Sequence, residues 1–139
     1  MTMPHDDADD VDHITPEQAF AWQQSGEAVI VDVRTDAERT WVGTVPGSVG
    51  LSWVHWPGMQ PNAEFDAAIR SVAAYHAGKK LLFLCRSGVR SIAAARRATE
   101  LGLEQCYNIL EGFEGALDEN QQRGKSNGWR CRGLPWVQR

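Results

Sequence analysis

The chain has 139 residues, a formal net charge of −4 at pH 7 and a hydrophobic fraction of 42%. This length is enough for one domain with a buried core and too short for two. The acidic balance argues against nucleic-acid binding, and the lack of a basic leader or of any apolar run longer than a strand argues against secretion and membrane insertion. We therefore expect a single cytoplasmic domain with no nucleic-acid or membrane partner.

The first twelve residues form an acidic segment with no hydrophobic periodicity. They contain five aspartates, at positions 6, 7, 9, 10 and 12, and without these the formal charge of the chain would be +1. Such a segment has little surface to bury, so residues 1–12 are predicted to be a disordered, solvated tail. The folded domain is then expected to occupy residues 13–139.

The sequence of the first half of this domain predicts a helix followed by a buried strand. Thr15 can cap a helix over residues 16–24, because proline occupies the first helical position after it. The apolar run at 28–33 is typical of a central parallel strand. Asp32 falls near the carboxyl end of that strand, where open α/β sheets hold their functional sites. A glycine-rich turn then leads to a short strand predicted around 49–53.

The second half repeats the alternation of helix and strand. A helix is predicted after Asn62, with apolar residues on one face, and it ends at Gly78. The apolar run at 81–84 predicts a fully buried strand. The alanine-rich segment 89–102 is predicted to be a helix, and residues 105–110 are predicted to form a last strand. This alternation predicts an α/β fold with a parallel sheet covered on both faces and right-handed crossovers.

The strand at 81–84 ends on Cys85, which opens a short loop before the alanine-rich helix. A loop aimed at a helix N-terminus offers free backbone N–H groups and the positive end of the helix dipole to an anion. Two arginines lie within five residues of the sulfur, and a cysteine that only filled the core would gain nothing from these donors. The sequence therefore predicts a nucleophilic thiolate at Cys85. The residues expected to bind the anion are Arg86, Ser87, Gly88, Val89, Arg90 and Ser91.

The remaining cysteines and the histidines indicate no metal site and no disulfide framework. The chain has three cysteines, an odd number without close pairing, which is typical of a reducing compartment. The four histidines lack ligand spacing with one another or with the cysteines, so neither a metal nor another cofactor is predicted. These histidines are His5, His13, His55 and His76.

Five motifs, together and in order, resemble the rhodanese family of sulfurtransferases over roughly residues 13–137. The first two are similar to the family's opening signature, the third to its six-residue active-site loop, and the last two to its closing elements. The motifs are Asp-Val-Arg at 32–34 with Glu38 downstream, Gly-Thr-Val-Pro-Gly-Ser at 43–48, Cys-Arg-Ser-Gly-Val-Arg at 85–90, Gly-Phe-Glu-Gly at 112–115 and Gly-Trp-Arg-Cys-Arg-Gly-Leu-Pro at 128–135.

The resemblance implies a central, mostly parallel five-stranded sheet and a sulfurtransferase activity. Cys85 would attack the outer sulfur of an anionic donor such as thiosulfate, release sulfite and hold the sulfur as a persulfide. A thiophilic acceptor, which could be cyanide, a small thiol or a protein thiol, would then remove it. Asp32, Arg34 and Glu38 are expected to orient the site or to form ion pairs rather than to take part in the chemistry.

The chain departs from the family pattern at two places. Thr44 stands where the family often has histidine, so any role of that side chain is lost, although the Pro-Gly turn can survive. The polar segment 116–127 looks like an insertion; it is either a solvated surface loop or part of the rim of the site or of a partner surface. Cys131 is either an unpaired thiol or a thiol that resolves the persulfide as an internal disulfide.

Two other functions remain open from the sequence. A cysteine phosphatase or arsenate reductase also needs a thiolate in an anion-binding loop, but phosphatase loops typically place arginine six residues after the cysteine. Here Arg90 lies five residues after it, and Leu84 replaces the histidine that often precedes it. A non-catalytic interaction module is the second alternative, and the intact cysteine loop counts against it.

Overall fold

The structure, a computed structural model, describes residues 11–138. Its five main strands pair in the order β1-β7-β6-β2-β3 with every neighbouring pair parallel, and β4 and β5 form a separate antiparallel pair. None of the helices in this part of the chain is long and apolar enough to cross a membrane. The elements are β1 (Asp12–Ile14), α1 (Pro16–Gln24), β2 (Ala28–Asp32), α2 (Asp36–Trp41), β3 (Val49–Gly50), β4 (Val54–His55), β5 (Gln60–Pro61), α3 (Phe65–Tyr75), β6 (Lys80–Leu84), α4 (Val89–Glu100) and β7 (Cys106–Ile109).

The predicted α/β fold with a central parallel five-stranded sheet covered on both faces is confirmed. On one face, Val31 of β2 packs in a cluster with Ile69 of α3 and Ala95 of α4. On the other face, Ile30 of β2 belongs to a cluster with Ala19 of α1. Because successive strand residues point to opposite faces, a strand covered on both sides is apolar at nearly every position, which is why β2 and β6 stand out in the sequence.

The N-terminal edge of the sheet differs from the sequence-based expectation. Strand β1 begins at Asp12, inside the segment 1–12 that was predicted to be a disordered tail, and it pairs with β7. Val11 is buried, with 7% of its surface exposed. The domain therefore includes both residues, whereas residues 1–10 of the predicted tail lie outside the described part of the chain.

Helix α4 begins directly after the Cys85 loop and lies close to the sheet. Its residues Ala94, Ala95 and Ala98 have no exposed surface, and such small side chains permit close approach to β6 and β7. Gly88, at the N-cap, has a φ of 105°, a left-handed conformation that glycine adopts without a steric penalty. No side chain caps this helix, so the N–H groups of its first turn remain for the loop and for an anion.

The chain after β7 crosses the face of the sheet that carries α1 and completes the core there. Trp129 is fully buried, and its ring meets Phe20 edge to face with centroids 6.1 Å apart. Its indole N–H donates to the carbonyl of Pro135 at 2.8 Å, which satisfies the one polar atom of the buried side chain. The C-terminal segment is thus an integral part of the hydrophobic core.

Replacing Trp129 by alanine is expected to lower the free energy of unfolding by about 3–5 kcal/mol, because it removes the largest fully buried side chain and leaves a cavity. Trp41→Ala is the matched control, since 76% of the Trp41 surface is exposed, and its effect should stay within about 0.5 kcal/mol. Urea unfolding of the three proteins measures both differences. Equal effects of the two substitutions would contradict the assignment of Trp129 to the core.

Candidate active site

Cys85 follows the last residue of β6 at the carboxyl edge of the sheet, with only 1% of its surface exposed. The backbone N–H of Gly88 donates a hydrogen bond to its Sγ atom, with an N···S distance of 3.0 Å. The hydroxyl oxygen of Ser91 lies 3.2 Å from the same sulfur. Because a backbone N–H group and the start of α4 both carry partial positive charge, this position suits a sulfur anion.

The turn at residues 112–115 binds the Cys85 loop through backbone hydrogen bonds. Backbone N–H groups of this turn donate to the carbonyl of Cys85 at 2.8 Å and twice to the carbonyl of Arg86, at 3.0 and 3.1 Å. Gly112 is required for this approach, since a Cβ atom there would lie 2.5 Å from the Arg86 carbonyl. The turn therefore engages the first two carbonyls of the loop, and the Gly88 N–H faces the sulfur.

A chain of buried hydrogen bonds leads away from the sulfur. Ser91 donates its hydroxyl hydrogen to Oδ1 of Asn108, and Nδ2 of Asn108 donates to Nδ1 of His13 at 3.0 Å. A serine hydroxyl has one hydrogen, so in this arrangement Ser91 can only accept from the Cys85 thiol. Ionisation of the thiol removes that donor, and the Ser91 hydrogen must then turn toward the sulfur for the contact to persist.

Asn108 and His13 were missed as site residues from the sequence. They lie on β7 and on the edge strand β1, directly opposite each other in register, and 95 residues separate them along the chain. The one signal was a polar asparagine inside a predicted apolar strand, which indicates a side chain with a specific buried partner.

Arg90 is held by Glu38 rather than left free for a substrate. Its two terminal nitrogens donate to the two carboxylate oxygens at 2.7 and 2.8 Å. The hydroxyl and backbone N–H of Thr35, the N-cap of α2, also donate to this carboxylate, at 3.0 and 3.1 Å. The pair therefore fixes α2 against α4 beside the Cys85 loop, and the charge of Arg90 is largely compensated.

The environment of Glu38 strongly favours its ionised form. Burial alone would raise the pKa of this carboxyl group, but the hydrogen bonds from Arg90 and Thr35 outweigh it and lower the pKa from 4.5 to about 2. The hydrogen bonds that Arg90 donates to Glu38 raise the pKa of Arg90, and the negative charge of Glu38 adds to this effect. Both members of the pair therefore stay charged at neutral pH.

Asp32 and Arg34 form a second ion pair, which is fully buried. The Arg34 guanidinium donates to both carboxylate oxygens of Asp32 and, at 2.7 Å, to the carbonyl of Gly43 in the glycine-rich turn. It also lies over the ring of Phe113, 4.2 Å from the centroid. These contacts tie the end of β2 to the glycine-rich turn and to the turn at 112–115.

A cavity of about 370 Å³ opens beside the Cys85 loop. Arg86 and Arg90 line it from the loop, Trp56 and Met59 from the β4–β5 region, and Arg123 from the segment 116–127. Cys85 itself is buried and is not part of the lining. The complete lining is Thr35, Ala37, Glu38, Val42, Trp56, Met59, Arg86, Arg90, Glu114 and Arg123.

The other predicted loop residues and the other two cysteines differ in their exposure. Ser87 is half-buried, and Val89 is 73% exposed at the start of α4. Burial raises the pKa of the Cys106 thiol, which lowers its reactivity. Cys131 is exposed, and its Sγ contacts the carbonyl of Lys125 at 3.5 Å.

Known proteins resemble the chain over most of its length. A family model described as a rhodanese-like domain matches residues 15–119. An uncharacterized protein of Rickettsia prowazekii, RP600, is 37% identical over 81% of this chain and 85% of its own length. Thiosulfate sulfurtransferase GlpE of Actinobacillus succinogenes is 30% identical over 88% of this chain and 86% of its own length. The crystal structure of Rv0390 from M. tuberculosis superposes with a TM-score of 0.82 and 40% identity, covering 93% of this chain and 98% of that one.

Replacing Glu38 by glutamine is expected to lower the free energy of unfolding at pH 7 by about 1–2 kcal/mol, because the Arg90 guanidinium loses its counter-charge. Since the folded-state pKa of about 2 lies below the ordinary value of 4.5, this stabilisation is fully present above pH 4.5 and is lost as the pH falls toward 2. Urea unfolding at several pH values between 7 and 3 tests this. The difference between wild type and Glu38→Gln should be constant above about pH 5 and shrink below it; a constant difference down to pH 3 would contradict the ion-pair account.

Proposed function

The chain belongs to the rhodanese-like domain family, and we propose that it is a sulfurtransferase. In this proposal, Cys85 carries the transferred sulfur as a persulfide. The observation that carries the proposal is the hydrogen bond from the Gly88 N–H to the Cys85 Sγ, at the N-terminus of α4. A group that donates to sulfur at this place stabilises both the attacking thiolate and the persulfide that follows.

The reaction proceeds in two displacements without an added oxidant or cofactor. The Cys85 thiolate attacks the outer sulfur of a donor such as thiosulfate; a new S–S bond forms, and the old S–S bond breaks as sulfite leaves with its electron pair. An acceptor nucleophile, such as cyanide, a small thiol or a protein thiol, then attacks the terminal sulfur. The Cys85 thiolate leaves and is regenerated, so both electrons and atoms balance.

Arg86 supports recruitment of an anionic donor better than Arg90 does. Its side chain is exposed, lines the cavity and has no hydrogen-bond or ion-pair partner among residues 11–138. Arg90 is compensated by Glu38. The same pairing argues against a phosphatase, because a phosphate ester would need a free arginine in its loop.

The free cysteines support a reducing environment, so the proposed location is the cytoplasm.

Intact-mass measurement after incubation with thiosulfate tests the proposed function. Wild type should gain the mass of one sulfur atom, the gain should disappear on treatment with a thiol reductant, and Cys85→Ser should gain nothing. Cys131→Ser is the matched control and should behave as wild type, because this exposed thiol has no place in the proposed displacement. No gain in wild type with Cys85 in its free thiol form, or an equal gain in Cys85→Ser, would overturn the proposal. Phosphate release from an aryl phosphate by the same preparation would instead support phosphatase chemistry.

A further inference from the structure

The cavity beside the Cys85 loop is larger than an inorganic donor requires. Its volume of about 370 Å³ lies at the lower end of the roughly 300–1,000 Å³ that is typical of sites for small organic molecules. Thiosulfate or cyanide would fill only a small part of it. The remaining space is adjacent to the reactive loop, so a larger reactant of the same reaction fits there.

The lining of the cavity carries uncompensated positive charge. Two carboxylates line it, but Glu38 is bound by Arg90, and Glu114 lies 3.9 Å from Arg130, which is outside the lining. The side chain of Arg86 has no hydrogen-bond or ion-pair partner among residues 11–138. One terminal nitrogen of Arg123 donates a hydrogen bond to the carbonyl of Gly115, and the other N–H groups of its guanidinium remain available. These two arginines therefore attract an anionic group.

Another part of the cavity lining is apolar and accessible. Trp56 is 65% exposed and Met59 is 45% exposed, although large apolar side chains are ordinarily covered. An indole ring and a thioether side chain are both groups against which a short carbon chain packs favourably. The ligand that this cavity fits therefore combines a carbon skeleton with an anionic group.

The segment 116–127 holds Arg123 in place at the rim of this cavity. Oδ1 of Asp118 accepts backbone N–H groups of residues 120 and 122, which closes a tight turn. Beside Arg123, the N–H of Gly124 donates to the carbonyl of Glu114 at 2.8 Å, and Arg123 itself donates to the carbonyl of Gly115 at 2.8 Å. The segment is thus attached to the turn that also holds the Cys85 loop.

We propose that the sulfur acceptor of this site is a low-molecular-weight organic thiol that carries a carboxylate, and that Arg123, together with Arg86, selects it. The inference rests on the proposed function. The acceptor thiolate attacks the terminal sulfur of the Cys85 persulfide, the Cys85 thiolate leaves, and the product is an organic persulfide. The carboxylate pairs with the two arginines, while the carbon chain lies against Trp56 and Met59.

Sulfur transfer from the loaded protein to matched acceptors tests this assignment. The Cys85 persulfide is first formed with thiosulfate and verified by mass, and its transfer rate is then measured with 3-mercaptopropionate, 3-mercaptopropionamide and cyanide. Wild type should prefer the carboxylate over the amide, and Arg123→Gln should reduce kcat/KM for the carboxylate about fivefold to tenfold. Its kcat/KM for the amide and for cyanide should stay unchanged.

Lys125→Gln is the control for a general loss of positive charge from the same segment. Lys125 is exposed, donates to Gln122 and does not line the cavity, so its removal should leave all three acceptors unaffected. The preference for the carboxylate should also weaken as salt is added, because the arginines are partly solvated.

The outcomes separate the two proposals. A wild-type chain that takes up no sulfur overturns the proposed function and this inference with it. A chain that takes up sulfur but transfers it equally well to the acid and the amide overturns the inference alone. An equal loss for all three acceptors in Arg123→Gln would assign Arg123 a structural role and would likewise overturn it.

Discussion

The attachment of the Cys85 loop to the turn at 112–115 is the constraint on which the rest of the site depends. This turn binds the carbonyls of Cys85 and Arg86, and the left-handed Gly88 then directs its N–H to the sulfur. A peptide loop has as many acceptors as donors, so a loop that binds an anion has to turn its carbonyl oxygens away from the anion. Glycine at 112 makes this possible, because a side chain there would collide with the loop.

The charges around the site are arranged in pairs that leave one part of it positive. Asp32 with Arg34 and Glu38 with Arg90 are closed ion pairs that connect the ends of β2, α2 and α4. Breaking a buried pair leaves an uncompensated charge, so these pairs stabilise the geometry without contributing net charge to the cavity. The positive potential then comes from the N-terminus of α4 and from arginines outside the pairs, such as Arg86.

The parts of the molecule that the sequence predicted well are those governed by local patterns. Strands β2 and β6 are continuous apolar runs, and the Cys85 loop follows one of them directly, so their places were predictable. Strand β1 and the β4–β5 pair were not predicted, because segments of two or three residues carry no periodic signal. The contact of Asn108 with His13 and the position of Arg123 at the cavity depend on tertiary packing between distant segments, which no local pattern encodes.

Whether the Cys85 loop holds a sulfur anion is tested most directly by a crystal structure. The protein is treated with thiosulfate before crystallisation, and anomalous sulfur data are collected. If Cys85 carries the persulfide, one additional sulfur peak is expected about 2.05 Å from the Cys85 Sγ. This peak should lie within hydrogen-bond reach of loop N–H groups such as that of Gly88. An unmodified Cys85 in protein that has demonstrably taken up sulfur, with the extra atom on Cys131 or elsewhere, would contradict this expectation.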